Sequence, residues 1–373
     1  MPFKLSKIIQ LKIHQLQLDH LRKLSWRNPY LLAASTGFLL MLVMIIHYQV
    51  SIHSSLRIQE SEFKYEVGSG SNLTRIVHDL KKQGFIEHPR YLLLYAKLSG
   101  SANKISTGEY LIKQGVSAAD FMDQILSGKV IQYSITIVEG WNIYQLLDAI
   151  KNEPNIKHTL QGLSHQEIMK HIGYPETHPE GRFYPDTYHF PRGLTDVEFL
   201  KRAYVAMEKK LAEEWDKRAT GLPYKTPYEA LTMASIVEKE TGQPSERKTI
   251  AGVFVRRIEK RMRLQTDPTV IYGLLPKFDG NIRRRDLRKD TPYNTYRRRG
   301  LPPTPIAMPG GEAIHAAMHP ADGKELYFVS KGDGSHYFSA TLEEHNRAVI
   351  KYQLKGRKKS FSSFDAKTGK AKK

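Results

Sequence analysis

The amino-acid sequence predicts a mixed α+β fold behind a single N-terminal transmembrane helix. Three observations lead there: a charge-free apolar run near the N-terminus, interleaved strand and helix periodicities as far as Val138, and a longer second half of helical patterns broken by Gly/Pro loops.

The apolar run, Tyr30 to Ile46 (YLLAASTGFLLMLVMII), extends past His47 to Ile52 and so approaches the roughly 20 residues that span a bilayer. Trp26, Tyr30 and Tyr48 stand where interfacial aromatics belong, and the run is apolar on every face, unlike a helix with one buried stripe. Six Lys/Arg precede it, and Arg57 is the sole Lys/Arg between it and Glu60, which predicts a cytoplasmic N-terminus (1–29), a span over 30–52, and an exported remainder. The long charged leader and the lack of an A-x-A site favour an uncleaved anchor over a signal peptide.

Beyond it, Phe63 to Val67 alternates as a strand does, and Leu73, Ile76, Val77 and Leu80 repeat with helical spacing. A helix from Pro89 to Leu98, a strand from Gly108 to Ile112 and a helix from Ser117 to Leu126, stopped by Gly128, complete a small α+β module over 60–140. A strand, Ile131 to Val138, turns at Glu139-Gly140 into the next region, 141–352. There Leu160 to Arg202 reads as loop, and helices are predicted over Val197 to Arg218, over Pro227 to Thr241 with Gly242 as the stop, and from Ser245 to about Arg261. The tail, 353–373, is Lys- and Ser-rich with few apolar residues and is expected to be disordered.

The net charge of +19 is local, with +5 before Tyr30, +8 from Lys351 onward and +9 between Val255 and Gly300. The rest of the folded part is therefore slightly acidic. Arg283 to Arg285 and Arg297 to Arg299 resemble nucleic-acid contacts, but an exported location offers acidic lipid and wall carboxylates instead, so no nucleic acid is expected. The absence of cysteine excludes disulfides, thiolate metal sites and a cysteine nucleophile. No phosphate loop is found, and His319, His336 and His345 fall in no recognised ligand spacing, so neither metal nor cofactor is expected.

The helix Tyr228 to Glu240 (YEALTMASIVEKE) is apolar nearly all round, yet Glu238 shares a face with Leu231 and Ala234 in its last turn. Partial burial and the negative end of the helix dipole both raise the pKa of such a carboxyl, as a general acid needs. Alternatively, Glu238 is a surface residue paired with Lys239 or Arg247. Glu240, two residues on, is expected to face solvent.

Ala234-Ser-Ile-Val-Glu-Lys-Glu240, Leu264-Gln-Thr-Asp-Pro-Thr-Val270, Tyr293-Asn-Thr-Tyr296 and Gly300-Leu-Pro-Pro303, with Glu180-Gly181, Phe183 and Pro185-Asp-Thr187, occur together in this order. The set resembles the YceG-like family, the endolytic murein transglycosylases, over roughly Glu60 to Tyr352. The resemblance implies a LysM-like subdomain ahead of a larger mixed α+β catalytic domain. It further implies cleavage of peptidoglycan glycan strands to 1,6-anhydromuramyl ends, work beside peptidoglycan synthases at the inner membrane, and Glu238 as the catalytic acid/base. Glu180, Tyr184, Asp186, Gln265, Thr266, Asp267, Tyr293, Asn294, Thr295 and Tyr296 are the expected substrate-binding residues, their aromatic faces and neutral polar groups suiting a sugar groove. Asp267 and Asp186 are also the second carboxylates that a water-using muramidase requires, though each stands beside a proline where turn duty is equally natural. A non-catalytic wall-binding scaffold is the third reading.

Overall fold

The structure, a computed structural model, describes residues 29–68, 70–99, 105–357, 364–365 and 370–371. The predicted basic leader and most of the predicted disordered tail lie outside the described residues; within the tail, β7 (Phe364–Asp365) and β8 (Lys370–Ala371) pair. The chain divides into two compact units, residues 1–131 and 132–373, and the fold is mixed α+β throughout.

In the first unit the apolar run forms α1 (Pro29–His53), long and apolar enough to cross a membrane. Its last turns belong to the unit: Ile52 is buried, and the Tyr91 hydroxyl lies 3.0 Å from Nδ1 of His47. Strands β1 (Glu62–Val67) and β2 (Gly108–Lys113) pair antiparallel, with Tyr65 opposite Tyr110. Period-two alternation turns Tyr65, Val67, Tyr110 and Ile112 inward onto α2 (Leu73–Lys82), α3 (Pro89–Leu98) and α4 (Ala118–Ser127). The helix ends follow local chemistry. Asn72 and Ser117 cap the N-termini of α2 and α4, and Gly128 ends α4 in the left-handed conformation at φ 69°.

The second unit opens with β3 (Gln132–Thr136), paired antiparallel with β4 (Thr187–Pro191). Around them α5 (Ile143–Lys151), α6 (His165–His171) and the first half of α7 (Asp196–Asp216) enclose Ile135, Leu146, Phe183, Phe190 and Phe199. The segment expected to be loop, Leu160 to Arg202, thus contains α6 and β4. The partner of β4 lies some fifty residues upstream, so its pairing has no local signature.

A neighbouring core is built on α8 (Pro227–Glu240), packed between α9 (Arg247–Glu259) and α12 (Gly311–Met318). Thr226 caps α8 and Pro227 fills its first turn. Eight consecutive residues, Ala230 to Val237, are buried, as the all-round apolar pattern requires. Each buried Leu, Met, Ile or Val here contributes roughly 1.5–3 kcal/mol relative to exposure, which fixes the helix and the carboxylates at its end. The helix ends at Glu240, with Thr241 extended (φ −144°, ψ 135°), so Gly242 is not the stop. Short helices α10 (Asp267–Tyr272) and α11 (Arg284–Arg288), the hairpin β5 (Tyr327–Ser330) and β6 (His336–Ser339), and α13 (Leu342–Tyr352) complete the unit.

Candidate active site

Glu238 is not a surface residue. Its side chain is 8% exposed, and one carboxylate oxygen accepts the Gly310 N–H at 3.1 Å, just ahead of α12. Arg247, at the start of α9, brings Nη2 to 3.9 Å from Glu238 and 3.8 Å from Glu139, so two acids flank one guanidinium. The Arg247 Nε is buried with no hydrogen-bond partner among the described residues, a donor left for something else to satisfy. Lys239 donates to the Gly140 carbonyl at 3.2 Å and closes one side.

Burial pushes the Glu238 carboxyl up from its ordinary value. The Gly310 N–H pulls it down, the Glu139 charge pushes it up, and Arg247 and Lys239 pull it down, with burial prevailing. These surroundings therefore favour the protonated acid while keeping a donor and a cation ready for the carboxylate. Neither Glu139 nor Arg247 belongs to the site expected from sequence, although Arg247 is there a candidate partner of Glu238. They arrive from the turn after β3 and the start of α9, and only the turn signal at Glu139-Gly140 hints at the first.

The other predicted residues separate into groups. Tyr184 belongs with Glu238: its hydroxyl lies against Gly311, where a Cβ would meet it at 2.9 Å. Asp186 is exposed and accepts the Thr187 N–H at 2.7 Å, the turn duty that its place beside proline allows.

Gln265, Thr266, Asp267 and Tyr296 gather instead at Glu240. Thr266 Oγ1 donates to the Glu240 carboxylate, and the Tyr296 hydroxyl donates to Asp267 at 2.6 Å. Glu240, Gln265, Asp267 and Tyr296 join Arg257, His336 and His345 in lining a cleft of about 590 Å³. The expectation of a solvated Glu240 fails. It does point away from Glu238, but the segment from Leu264 to Asp267 covers that side, and burial, against the Thr266 bond, raises its pKa to about 7. Gln265 holds φ at 53°, a left-handed backbone seldom adopted by a side-chain-bearing residue, and is exposed. His336 is tied to Glu246 by Nδ1 at 2.7 Å and by its N–H at 2.8 Å.

Glu180, Asn294 and Thr295 lie inside the protein. Glu180 is fully buried, accepts the N–H groups of Ile143 and Gly181 at 3.1 and 3.3 Å, and is bonded by the Tyr272 hydroxyl. Tyr293 meets Tyr272 edge-on at 4.9 Å and bonds Thr304. Asn294 spends its amide on the carbonyls of Asp286, Leu287 and Lys289, and Thr295 is knotted to Thr266 and Thr269. Asn294 and Thr295 thus shape the loop rather than face a groove.

Burial raises the Glu180 pKa to about 7, above the ordinary 4.5. A carboxyl raised on folding stabilises the fold fully below 4.5, and that contribution is lost as pH climbs to about 7. Glu180→Gln, which stays neutral, is expected to flatten the pH dependence of stability across this window by up to roughly 3 kcal/mol, at about 1.4 kcal/mol per unit. Chemical unfolding of both proteins at pH 5 and pH 8 measures it, and parallel wild-type and variant curves would refute it.

Residues 65–351 match the YceG-like family. A Bacillus subtilis (strain 168) protein named endolytic murein transglycosylase is 33% identical over 303 residues, covering 77% of this chain and 83% of the relative. One of the same name from Streptococcus pneumoniae (serotype 2, strain D39) is 27% identical over 82% of this chain, which spans 61% of that longer protein. The crystal structure of a YceG-like protein from Listeria monocytogenes superposes with a TM-score of 0.50 at 30% identity, covering 77% of this chain and 98% of that one. This chain belongs to the YceG-like family.

Proposed function

We propose that this chain is an endolytic lytic transglycosylase of peptidoglycan, with Glu238 as the single acid/base. The observation that carries the assignment of Glu238 is its environment: burial that favours the protonated form, and the Gly310 N–H and Arg247 that stabilise the ionised form. A group supported in both states can act twice. The bond between C1 of a muramic acid residue and the next sugar's oxygen breaks as Glu238 gives that oxygen its proton. The muramic 6-hydroxyl oxygen attacks C1, and the carboxylate takes the hydroxyl proton. No water is consumed, and a 1,6-anhydro end results. Glu139 and Arg247 set the charge beside Glu238, and the unpaired Arg247 Nε is available to a substrate oxygen.

Tyr184, Gln265 and Tyr296 remain the surface groups best suited to sugars. The order β1, α2, α3, β2 around one antiparallel pair supports reading the first unit as a LysM-like wall-binding module. Helix α1 serves as a single-pass inner-membrane anchor, with the N-terminus cytoplasmic, the enzyme periplasmic and synthases as neighbours. A periplasm-active reporter fused after Lys373 should be active in cells and a cytoplasm-active one silent; the reverse would overturn the topology. The chemistry is tested by mass spectrometry of products from purified sacculi. Anhydro ends are one water lighter than the reducing ends a muramidase leaves, and finding reducing ends only would refute the proposal.

A further inference from the structure

Away from Glu238, Glu214 in the last turns of α7 meets His315 and His319 at the end of α12, with one potential ligand atom of each within 4.8 Å of the others. Nδ1 of His315 lies 2.9 Å from one Glu214 oxygen, and the two imidazoles stack with centroids 4.4 Å apart. The second Glu214 oxygen accepts a hydrogen bond from Lys210 at 2.8 Å. Glu214 is 13% exposed and His315 38%, so the group is sheltered yet reachable.

We propose that Glu214, His315 and His319 form a binding site for one divalent cation of the zinc type. His315 lies in α12 and His319, four residues on, is the residue that ends it (φ −132°, ψ 60°), so the two imidazoles meet at the helix end, and a carboxylate from a second helix supplies the third ligand. Metal–ligand bonds of about 2.0–2.2 Å in a tetrahedron separate the ligand atoms by about 3.4 Å. The Nδ1 to oxygen distance must therefore open by about half an ångström, within reach of side-chain rotation. The cation replaces the proton that now joins His315 and Glu214, and Lys210 keeps the outer oxygen, the supporting hydrogen bond that ligating carboxylates usually have. Imidazole and carboxylate donors suit Zn²⁺ better than Ca²⁺ or Mg²⁺, which prefer oxygen shells. The proposal departs from the expectation of no metal: Glu214 lies 101 residues before His315, and His-Ala-Ala-Met-His, without a ligating acid beside it, is no ligand motif by itself.

The cation cross-links α7 to α12, the helix that follows the Gly310 N–H bonded to Glu238. Full-length protein in detergent, stripped with chelator, is titrated with ZnCl₂ beside the double variant His315→Ala/His319→Ala and the milder Glu214→Gln. Wild type is expected to take up one more Zn²⁺ per chain than the double variant and to melt several degrees higher in excess zinc. Glu214→Gln, which keeps the hydrogen-bonding shape, should weaken uptake at least tenfold. Co²⁺ in place of Zn²⁺ should give visible absorption bands in wild type that the double variant lacks. Equal uptake and melting shifts in wild type and folded Glu214→Gln would overturn the proposal, as would wild-type cobalt bands in the double variant.

Discussion

Replacing Glu238 by Gln is expected to lower release of anhydromuropeptides by about 10²- to 10⁴-fold while the protein stays folded, the range that one positioned proton donor supplies. The amide fills the same space, accepts the Gly310 N–H as the carboxylate does, and leaves α8 packed on α9 and α12. What it loses is the proton given to the leaving oxygen and taken from the 6-hydroxyl. Glu240→Gln and Asp267→Asn are the necessary companions, because those acids line the cleft on the opposite side of the same helix end. Each should retain most activity, since the new amide oxygen can still accept, from Thr266 in the first variant and from Tyr296 in the second. Rates on purified sacculi decide it. A silent Glu240→Gln beside an active Glu238→Gln would transfer the acid/base role across the helix, and a silent Asp267→Asn would favour a two-carboxylate hydrolase.

The largest effect on stability is expected from Gly181→Ala. Gly181 holds φ at 77°, and a Cβ there would meet Cβ and Cγ of Pro305 at 2.4 and 2.7 Å and the Ala307 carbonyl at 3.3 Å. The left-handed backbone costs a side-chain-bearing residue roughly 1–2 kcal/mol, and forcing a methyl into a filled space costs about 1–3 kcal/mol more. A loss of about 3 kcal/mol in chemical unfolding is therefore expected. The shift should also reach Met308, whose N–H donates to the carbonyl of Trp141, two residues from Glu139. A midpoint within experimental error of wild type would show that the segment from Pro305 to Met308 yields freely.

Much of this arrangement can be read in the chain because its signals are local. Thr226-Pro227 opens α8, the apolar faces from Ala230 to Val237 demand burial, and the position of Glu238 in the last turn predicts the direction of its pKa shift. Asn72, Ser117 and Gly128 mark the helix ends of the first unit in the same way. What the sequence hides depends on distant partners. Glu240 faces away from Glu238 as helical geometry requires, yet whether that side meets water depends on Thr266, which no local pattern could place. Asn294 looks like a sugar-binding amide until three backbone carbonyls claim it. Glu139 and Arg247 stand about a hundred residues apart and become a site only where the turn after β3 meets the start of α9.

The way α1 ends has a mechanical consequence. Of its 25 residues, Pro29 to Ile46 precede the turns seated in the first unit and span roughly 27 Å at about 1.5 Å per residue, close to the ~30 Å hydrocarbon core of a bilayer. The final turns are seated in the first unit through Ile52 and the contact between His47 and Tyr91, so no slack chain separates anchor from cargo. In the anchoring role proposed for α1, a membrane thin enough to make the helix lean would lean the whole first unit by the same angle, and a thicker one would set it upright. Under that proposal bilayer thickness would become a steering input, aiming the unit much as a mast aims whatever is bolted to its top.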